Sequence, residues 1–242
     1  MENITEATQF IGEAKNIYVI PSQEPESVVS ALALFYTLKE LSKNVNLVIE
    51  NIPENIKFLA PSLDFISFPK NFVISIPNKT AEISQIYYEK NENDLKIHLT
   101  VEKGAMKKDD ISFYFSEPKP DLIITLGIKD YKAHLADKLN SFGFLLDSPV
   151  LNIDNEQNNE KFGKINLLDN LSLTEVVYSL IKSLNNDIIK KETAESLLSG
   201  LVLYTDNFKN SKVTADIFER AGGLMKIGAE LKKITDNIYR QT

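Results

Sequence analysis

Apolar residues recur along the chain at two different spacings, and each spacing predicts a different element. Between Val28 and Leu41 they lie three or four positions apart, which is typical of a helix that buries one face. The segments on either side, Asn16–Ile20 and Asn44–Ile49, are short and apolar, as buried strands are. A strand, a helix and a strand in this order indicate two parallel strands joined by a right-handed crossover.

Short apolar runs predict further strands of the same sheet, and helical spacing dominates the last third of the chain. We expect strands at residues 121–126, 149–153 and 164–168, and helices at residues 3–13, 53–59, 131–139, 174–184, 192–203, 214–225 and 227–238. Gly222 and Gly223 are expected to cap the helix that ends near them. These elements place the chain in the α/β class. It has a mostly parallel sheet flanked by helices and a helical C-terminal part, folded as a single domain over residues 1–242.

Residues 71–117 differ from the rest because their apolar positions alternate. Leu95–Val101 alternates apolar and polar residues strictly, which is the mark of a half-buried antiparallel strand. With the segment before it, this strand is expected to form a hairpin, so we predict a β-rich insertion within the domain. Sheet packing explains the alternation itself. The exposed face, with Tyr87, Tyr88 or Tyr114, is a candidate interface for a protein partner or for self-association.

The composition is that of an ordinary globular protein, and it narrows the possible functions. The 242 residues are 43% hydrophobic and 25% charged, with a formal net charge of −7. An acidic chain does not favour nucleic-acid binding through a broad basic surface. Cysteine is absent, which excludes disulfides and thiolate chemistry, and no run approaches the ~20 apolar residues of a membrane span. The start lacks a basic, apolar leader, so the sequence predicts a cytoplasmic protein without a membrane anchor.

Carboxylates follow two of the predicted strands at their carboxyl ends, where ligands bind in parallel sheets. Glu24 and Glu26 follow the first strand, and Asp154 and Glu156 follow the strand at 149–153. Carboxylate oxygens of this kind bind hard divalent cations such as Mg²⁺ or Mn²⁺. Each pair taken alone is explained as well by a solvated acidic loop before a helix, or by a turn. Two acidic loops at neighbouring strand ends indicate a cation site more strongly than either loop alone.

Other residues that could carry chemistry do not form a recognisable site. His98 is expected on the polar face of a strand and His134 in a helix, both at the surface. Ser22 and Ser27 lie in the first loop, and the pattern places no histidine near them, so a nucleophilic triad is not indicated. The sequence also lacks a glycine-rich phosphate loop.

The order of these segments resembles the DHH phosphoesterase superfamily, which includes RecJ-like exonucleases, nanoRNases and cyclic-dinucleotide phosphodiesterases. VVSALALFYTLKEL resembles the first helix of the family. Two later segments of the chain resemble the regions of the third and the fourth family motif. They are VLNIDNEQNNEKFGKINLLDNLSLTEVVYSLI for the third and TAESLLSGLVLYTDNFKNSKVTADIFERAGGLMKIGAEL for the fourth. The similarity covers nearly all of the chain apart from residues 71–117. It implies a DHH domain, whose site in the family holds two Mn²⁺ ions that activate water for attack on a phosphate ester.

The first family motif is only partly kept in this chain. The motif reads His-x-x-x-Asp-x-Asp, and aligning it on Ser30 places the histidine at Ile20 and the aspartates at Glu24 and Glu26. The resemblance therefore implies that the histidine ligand is lost and that both carboxylates are one methylene longer.

The remaining motifs have lost more of their ligands. The bridging aspartate of the second motif falls at Gly127, and the aspartate of the fourth falls at Tyr204. The third motif, Asp-His-His, reads Asp154-Asn155-Glu156. The resemblance thus implies a degenerate member, in which the residual carboxylates could hold one hard cation and a Mn²⁺ pair is not expected. Family enzymes also usually carry a C-terminal substrate-binding domain with a GGGH-like motif, so we expect this chain, which lacks the motif, to lack that domain.

Three functions stay open at this point. We favour a non-catalytic binding or assembly protein that uses no cofactor. A divergent phosphoesterase that uses Mn²⁺ or Mg²⁺ to act on nucleotides or short oligonucleotides is the second. The third is a non-catalytic nucleotide sensor, for which Lys129, Lys209 and Lys212 are the nearest candidate phosphate contacts.

Overall fold

The computed structural model describes residues 3–49, 52–60, 71–116, 119–135, 147–156 and 158–239. Its strands are β1 (Asn16–Pro21), β2 (Asn44–Leu47), β3 (Asn71–Ser75), β4 (Ala81–Lys90), β5 (Leu95–Gly104), β6 (Ser112–Ser116), β7 (Leu122–Leu126), β8 (Val150–Asp154) and β9 (Ile165–Leu168). Its α-helices are α1 (Ile4–Glu13), α2 (Pro25–Glu40), α3 (Tyr131–Leu135), α4 (Leu173–Leu184), α5 (Lys191–Tyr204), α6 (Ala215–Ile227) and α7 (Leu231–Ile238). Short 3₁₀-helices span Glu54–Leu59 and Lys108–Asp110. No helix in the described ranges is long and apolar enough to cross a membrane.

The described residues form two compact units, one from residues 3–60 with 119–239 and one from residues 71–116. In the larger unit, the sheet runs in the order β2-β1-β7-β8-β9 and every neighbouring pair is parallel. Helix α2 connects β1 to β2, as the apolar spacing predicts. The α/β fold class is therefore confirmed.

Both faces of this parallel sheet are buried, and its side chains divide between them. Ile17 and Val19 of β1 belong to the main apolar core, which α2, α4 and α5 also line. Tyr18 and Ile20 alternate with them and belong to a second, smaller apolar cluster with Ile123 of β7. A strand that is buried on both faces has a nearly continuous apolar sequence, which is why these strands could be predicted.

Several helix boundaries differ from the sequence prediction, and two of them have a local cause. Helix α2 begins at Pro25 rather than at Val28, because proline suits the first helical position, where its missing N–H is not needed. Helix α6 continues through Gly222 and Gly223 and is capped by Gly228, whose φ of +118° suits glycine. The expected cap at the glycine pair is therefore wrong.

Two other predictions fall partly on residues that are not described. The segment at 61–69, expected to be irregular, lies outside the described residues. So does the end of the helix expected at 131–139, of which α3 is the described part.

The smaller unit consists of two antiparallel pairs, β3 with β6 and β4 with β5, which confirms the β-rich insertion. Between β4 and β5, Asn91 Oδ1 accepts the backbone N–H groups of Asn93 and Asp94 at 2.9 and 2.7 Å, which closes the hairpin turn. The alternating face is less covered than a half-buried strand would be. Leu95 is 62% exposed and Ile97 is 47% exposed, because a two-stranded sheet offers little cover.

Candidate functional site

The carboxyl ends of β1, β7 and β8 lie at one edge of the parallel sheet, and the candidate residues follow them. β1 ends at Pro21, three residues before Glu24; Gly127 directly follows β7, and β8 ends on Asp154 itself. The sequence analysis expected the two acidic segments at neighbouring strand ends. This expectation is wrong, because β7 lies between β1 and β8. Neighbouring strands are ~4.8 Å apart, so these strand ends are separated by about twice that distance.

Gly127 lies between the two acidic segments, and its surroundings leave no space for a side chain. A Cβ built on Gly127 would overlap Ser27 Oγ and would lie 3.2 Å from Ser22 Oγ and 3.4 Å from Leu173 Cδ2. Ser22 donates a hydrogen bond to Ser27 Oγ at 2.8 Å, which fixes the serine pair against the glycine. The φ of Gly127 is +62°, a region that residues with a side chain rarely adopt. The serine pair thus fills the space that any side chain at position 127 would need.

Glu26 lies in the first turn of α2, and its carboxylate reaches across to the start of α4. Thr174 donates both its backbone N–H and its hydroxyl to Glu26 Oε1, at 3.1 and 3.2 Å. Ser30 Oγ lies 3.1 Å from Thr174 Oγ1 and must donate there, since the threonine proton is used on Glu26. Gly200 of α5 permits this approach, because a Cβ there would lie only 2.8 Å from Thr174 Cγ2. The carboxylate therefore serves as a link between α2 and α4.

Glu175, the next residue of α4, is buried and fully engaged by neighbours. Its Oε2 accepts the backbone N–H of Ser172 at 3.2 Å, and Ser172 Oγ accepts the backbone N–H of Glu175 at 3.1 Å, which together form a capping box at the start of α4. The Ser172 hydroxyl also donates to Oε2 at 2.9 Å. Its Oε1 is paired with the guanidinium of Arg220 from α6. A buried carboxylate needs such partners, because an unpaired charge in the interior is strongly destabilising.

Glu26, Thr174, Glu175, Tyr204 and Lys212 form one electrostatic group, which we call the Glu26 cluster. Burial raises the pKa of Glu26, the hydrogen bonds from Thr174 and the charge of Lys212 oppose that rise, and the charge of Glu175 adds to it. Burial, then the charges of Glu26 and Glu175, raise the pKa of Tyr204. The Lys212 Nζ lies 4.3 Å from the Tyr204 ring centroid, a cation–π distance. Lys212, which is exposed, therefore contacts the Tyr204 ring of the same chain.

Asp154 is buried, and its carboxylate is turned toward its own loop. Oδ1 accepts the backbone N–H groups of Asn155 and Glu156 at 2.8 and 3.3 Å. Oδ2 accepts the side-chain amide of Asn159 at 2.6 Å, and the same amide also donates to the Ile128 carbonyl at 2.9 Å. Both oxygens thus receive hydrogen bonds from the protein.

The structure does not gather the four residual metal candidates into one site. Glu26 belongs to the Glu26 cluster, and Asp154 is hydrogen-bonded to Asn155, Glu156 and Asn159. Glu24 precedes α2, and Glu156 is exposed in the loop after β8. Among the described residues, no three His, Asp or Glu side chains are grouped so that they could hold a metal ion. A pair of divalent cations needs several ligands for each ion, and this donor set does not fit one.

The positions at which the resemblance implies lost ligands have other surroundings in the structure. Ile20 is fully buried in the smaller apolar cluster. Gly127 accommodates the serine pair, and Asn155 donates its backbone N–H to Asp154. Tyr204 ends α5 beneath Lys212. Each replacement therefore suits packing or hydrogen bonding at its position.

Several residues that define this edge were missed from the sequence, and some of them had a readable signal. The Ser172-x-x-Glu175 spacing is a capping-box signature, so the start of α4 could have been assigned. Gly200 lies in the interior of an apolar helix, where a glycine suggests a close approach. Arg220 and Asn159 carry no local signal, because their partners are brought to them only by the folded chain.

Comparison with known proteins supports the fold. No family model matches the sequence, and no curated protein matches it significantly. Among solved structures, the chain is similar to an exopolyphosphatase-related protein from Bacteroides fragilis, with a TM-score of 0.69 and 18% sequence identity. The match covers 99% of this chain and 61% of that protein, so the chain spans about three fifths of its length. At this level of identity, the likeness shows a shared fold.

Proposed function

We propose that this chain is a non-catalytic member of the DHH phosphoesterase superfamily that acts as a binding or assembly protein. The observation that carries the proposal is the packing at Gly127, where the serine pair Ser22–Ser27 occupies the space of a bridging carboxylate. A two-metal phosphoesterase needs that bridge to hold its ions at a fixed separation. The fold shared with an exopolyphosphatase-related protein supports a phosphoesterase-like relationship.

The state of the remaining carboxylates supports the same proposal. Glu26 accepts two hydrogen bonds from Thr174, and both oxygens of Asp154 accept hydrogen bonds from its own loop. A carboxylate that is already satisfied inside the protein would have to give up these bonds to bind a cation. A non-catalytic protein of this fold acts through its surface, and most of the exposed large apolar side chains among the described residues lie in the β-rich insertion.

The proposal is tested by assaying hydrolysis in the presence of Mn²⁺ and, separately, Mg²⁺. Suitable substrates are bis-p-nitrophenyl phosphate, short oligonucleotides, 3′-phosphoadenosine 5′-phosphate, cyclic dinucleotides and inorganic polyphosphate. We expect no turnover above that of a Glu24→Ala/Asp154→Asn double variant, which controls for contaminating phosphatases. Turnover that this double variant loses and that a Glu82→Gln variant on the hairpin keeps would contradict the proposal.

A divergent Mn²⁺- or Mg²⁺-dependent phosphoesterase is the competing function. The observation that favours it is the fold shared with an exopolyphosphatase-related protein. This function requires a carboxylate site built differently from the family site. Polyphosphate hydrolysis that depends on Glu24 or Asp154 would establish it in place of the first proposal.

A further inference from the structure

Helix α6 carries apolar residues on two faces, and the larger unit buries only one of them. Ile217, Ala221 and Leu224 are buried. Phe218 and Met225, in contrast, are 55% and 45% exposed, although large apolar side chains of a helix usually face the core. The second face of α6 is therefore a surface on which another helix could pack.

The exposed apolar positions of α6 have the spacing of a helix-pairing seam. Ala215, Phe218, Gly222 and Met225 are separated by three, four and three residues, which places them along one stripe of the helix. We call these four residues the α6 stripe. Gly222 leaves a gap in the stripe, because a Cβ built there meets no atom within 4 Å. A large side chain from a second helix can enter this gap.

Two exposed side chains of opposite charge flank the α6 stripe. Glu219 and Lys226 are seven residues apart, so they lie on the same side of the helix, two turns from each other. Neither of them forms an ion pair within the part of the chain that the structure describes. Charged residues beside an apolar seam determine which helix pairs with it and in which orientation.

The two charges make α6 complementary to a second copy of itself in antiparallel orientation. With a two-fold axis between Gly222 and Met225, the Met225 side chain of each copy packs over Gly222 of the other. Glu219 of each copy then lies beside Lys226 of the other, so the dimer contains two pairs of opposite charge. The neighbouring register, with Phe218 over Gly222, brings the two Glu219 side chains together, where like charges repel. Charge complementarity therefore selects the first register and identifies a second copy as the occupant.

We propose that two copies of this chain associate by antiparallel packing of their α6 helices about a two-fold axis between Gly222 and Met225. Such an interface is isologous, because both copies contribute the same surface. One pair of short helices buries little area, so the association is weak and reversible. The dimer names a partner for the assembly function proposed above and rests on that function for its meaning.

Sedimentation velocity over a concentration series tests the surface. Met225→Glu places a charge in the seam, so we expect the dissociation constant to rise by roughly tenfold or more. Ile227→Glu is the matched control, because Ile227 is 42% exposed on the same helix but lies outside the α6 stripe. It should associate as the wild type does. A wild type that stays monomeric, or equal weakening by the two changes, would overturn the proposal.

Charge exchange tests the register in the same measurement. Glu219→Lys places like charges beside each other twice in the dimer, so the dissociation constant should rise several-fold. Adding Lys226→Glu restores opposite charges and should bring the constant back toward that of the wild type. Both positions are exposed, so the fold of the single chain should be unaffected. A double variant that associates no more tightly than Glu219→Lys would overturn the proposed register and, with it, the dimer.

The dimer and the loss of catalysis fail independently. An inactive monomer would refute the dimer and leave the non-catalytic function standing. A dimer that hydrolyses phosphate esters through Glu24 or Asp154 would do the reverse.

Discussion

β1 in the parallel sheet and β5 in the insertion are both rich in apolar residues, yet their surroundings differ. Ile17 and Val19 of β1 are fully buried between layers of the larger unit, whereas Leu95 and Ile97 of β5 are 62% and 47% exposed. The parallel sheet receives its cover from helices of the same chain. The hairpin receives little cover within its own unit. The difference teaches that periodicity reports which residues share a face but does not report what covers that face.

The polar residues of the two regions also differ in how far they are buried and hydrogen-bonded. At the strand ends of the parallel sheet, the carboxylates of Glu26 and Asp154 turn inward and accept hydrogen bonds from the protein. On β5, Lys96 and Glu102 are exposed. Two of the four carboxylates at the strand ends are therefore engaged by the protein, whereas Glu24, Glu156 and the charged residues of β5 are exposed.

The largest expected effect is a difference in the free energy of unfolding between a variant in the parallel sheet and a variant in the hairpin. Ile124→Ala in β7 leaves a cavity in the main core and should lower the free energy of unfolding by about 3 kcal/mol. Ile86→Ala in β4 removes a side chain that is mostly in water and should change it by less than about 0.5 kcal/mol. Urea denaturation of both variants measures the contrast. Similar losses at both positions would show that the hairpin face is covered in solution.

Gly127→Asp tests whether the sheet edge formed by the strand ends has space for a carboxylate at position 127. The new side chain would overlap Ser27 Oγ in a backbone conformation that favours glycine, so we expect a loss of about 2 kcal/mol or more in urea denaturation. Gly127→Asp combined with Ser27→Ala should recover part of the loss, because the overlapping oxygen is removed. A single variant as stable as the wild type would show that the edge has space for a bridging group.

Gly200→Ala tests the close contact beneath the Glu26 cluster. Its Cβ would press on Thr174, so we expect a loss of about 1–2 kcal/mol although alanine favours helices. Gly222→Ala in α6 is the matched control, since a Cβ there meets no atom within 4 Å. It should raise stability by roughly 0.5 kcal/mol. Equal effects of the two changes would mean that α5 is not held closely against Thr174.

The smallest effect is a pH dependence that reports on Glu26. Burial raises its pKa in the folded state, so folding binds a proton there between the unfolded and folded pKa values. Stability from the protonated form is present below the unfolded pKa and is lost as the pH rises through the folded pKa. Glu26→Gln keeps an acceptor for Thr174 without the charge. Its free energy of unfolding should therefore rise relative to that of the wild type as the pH increases through that window. Denaturation curves from pH 4 to pH 8 measure this, and a constant difference would contradict the raised pKa.

Sequence reasoning predicted the fold well because its signals are local. The spacing from Val28 to Leu41 predicted α2, and the alternation at Leu95–Val101 predicted β5 and its hairpin. The site was harder to predict because its contacts join distant parts of the chain. Glu26 meets Thr174 across 148 positions, and Glu175 meets Arg220 across 45. No spacing in the sequence reports such pairs.

The order of strands was the decisive unknown for the candidate site. The sequence placed Glu24 and Asp154 each at the carboxyl end of a strand, which is correct. It could not show that β7 lies between β1 and β8, since strand order depends on the path of the whole chain. The packing of Ser22 and Ser27 against Gly127 follows from that order and was therefore not predictable either.

Mn²⁺ binding, followed by the paramagnetic resonance signal of free Mn²⁺, tests most directly whether the strand-end edge is a metal site. We predict that the wild type, Asp154→Asn and a Glu82→Gln control on the hairpin give the same titration, with no stoichiometric binding at micromolar protein. Stoichiometric Mn²⁺ binding by the wild type and by Glu82→Gln, lost in Asp154→Asn, would contradict this prediction.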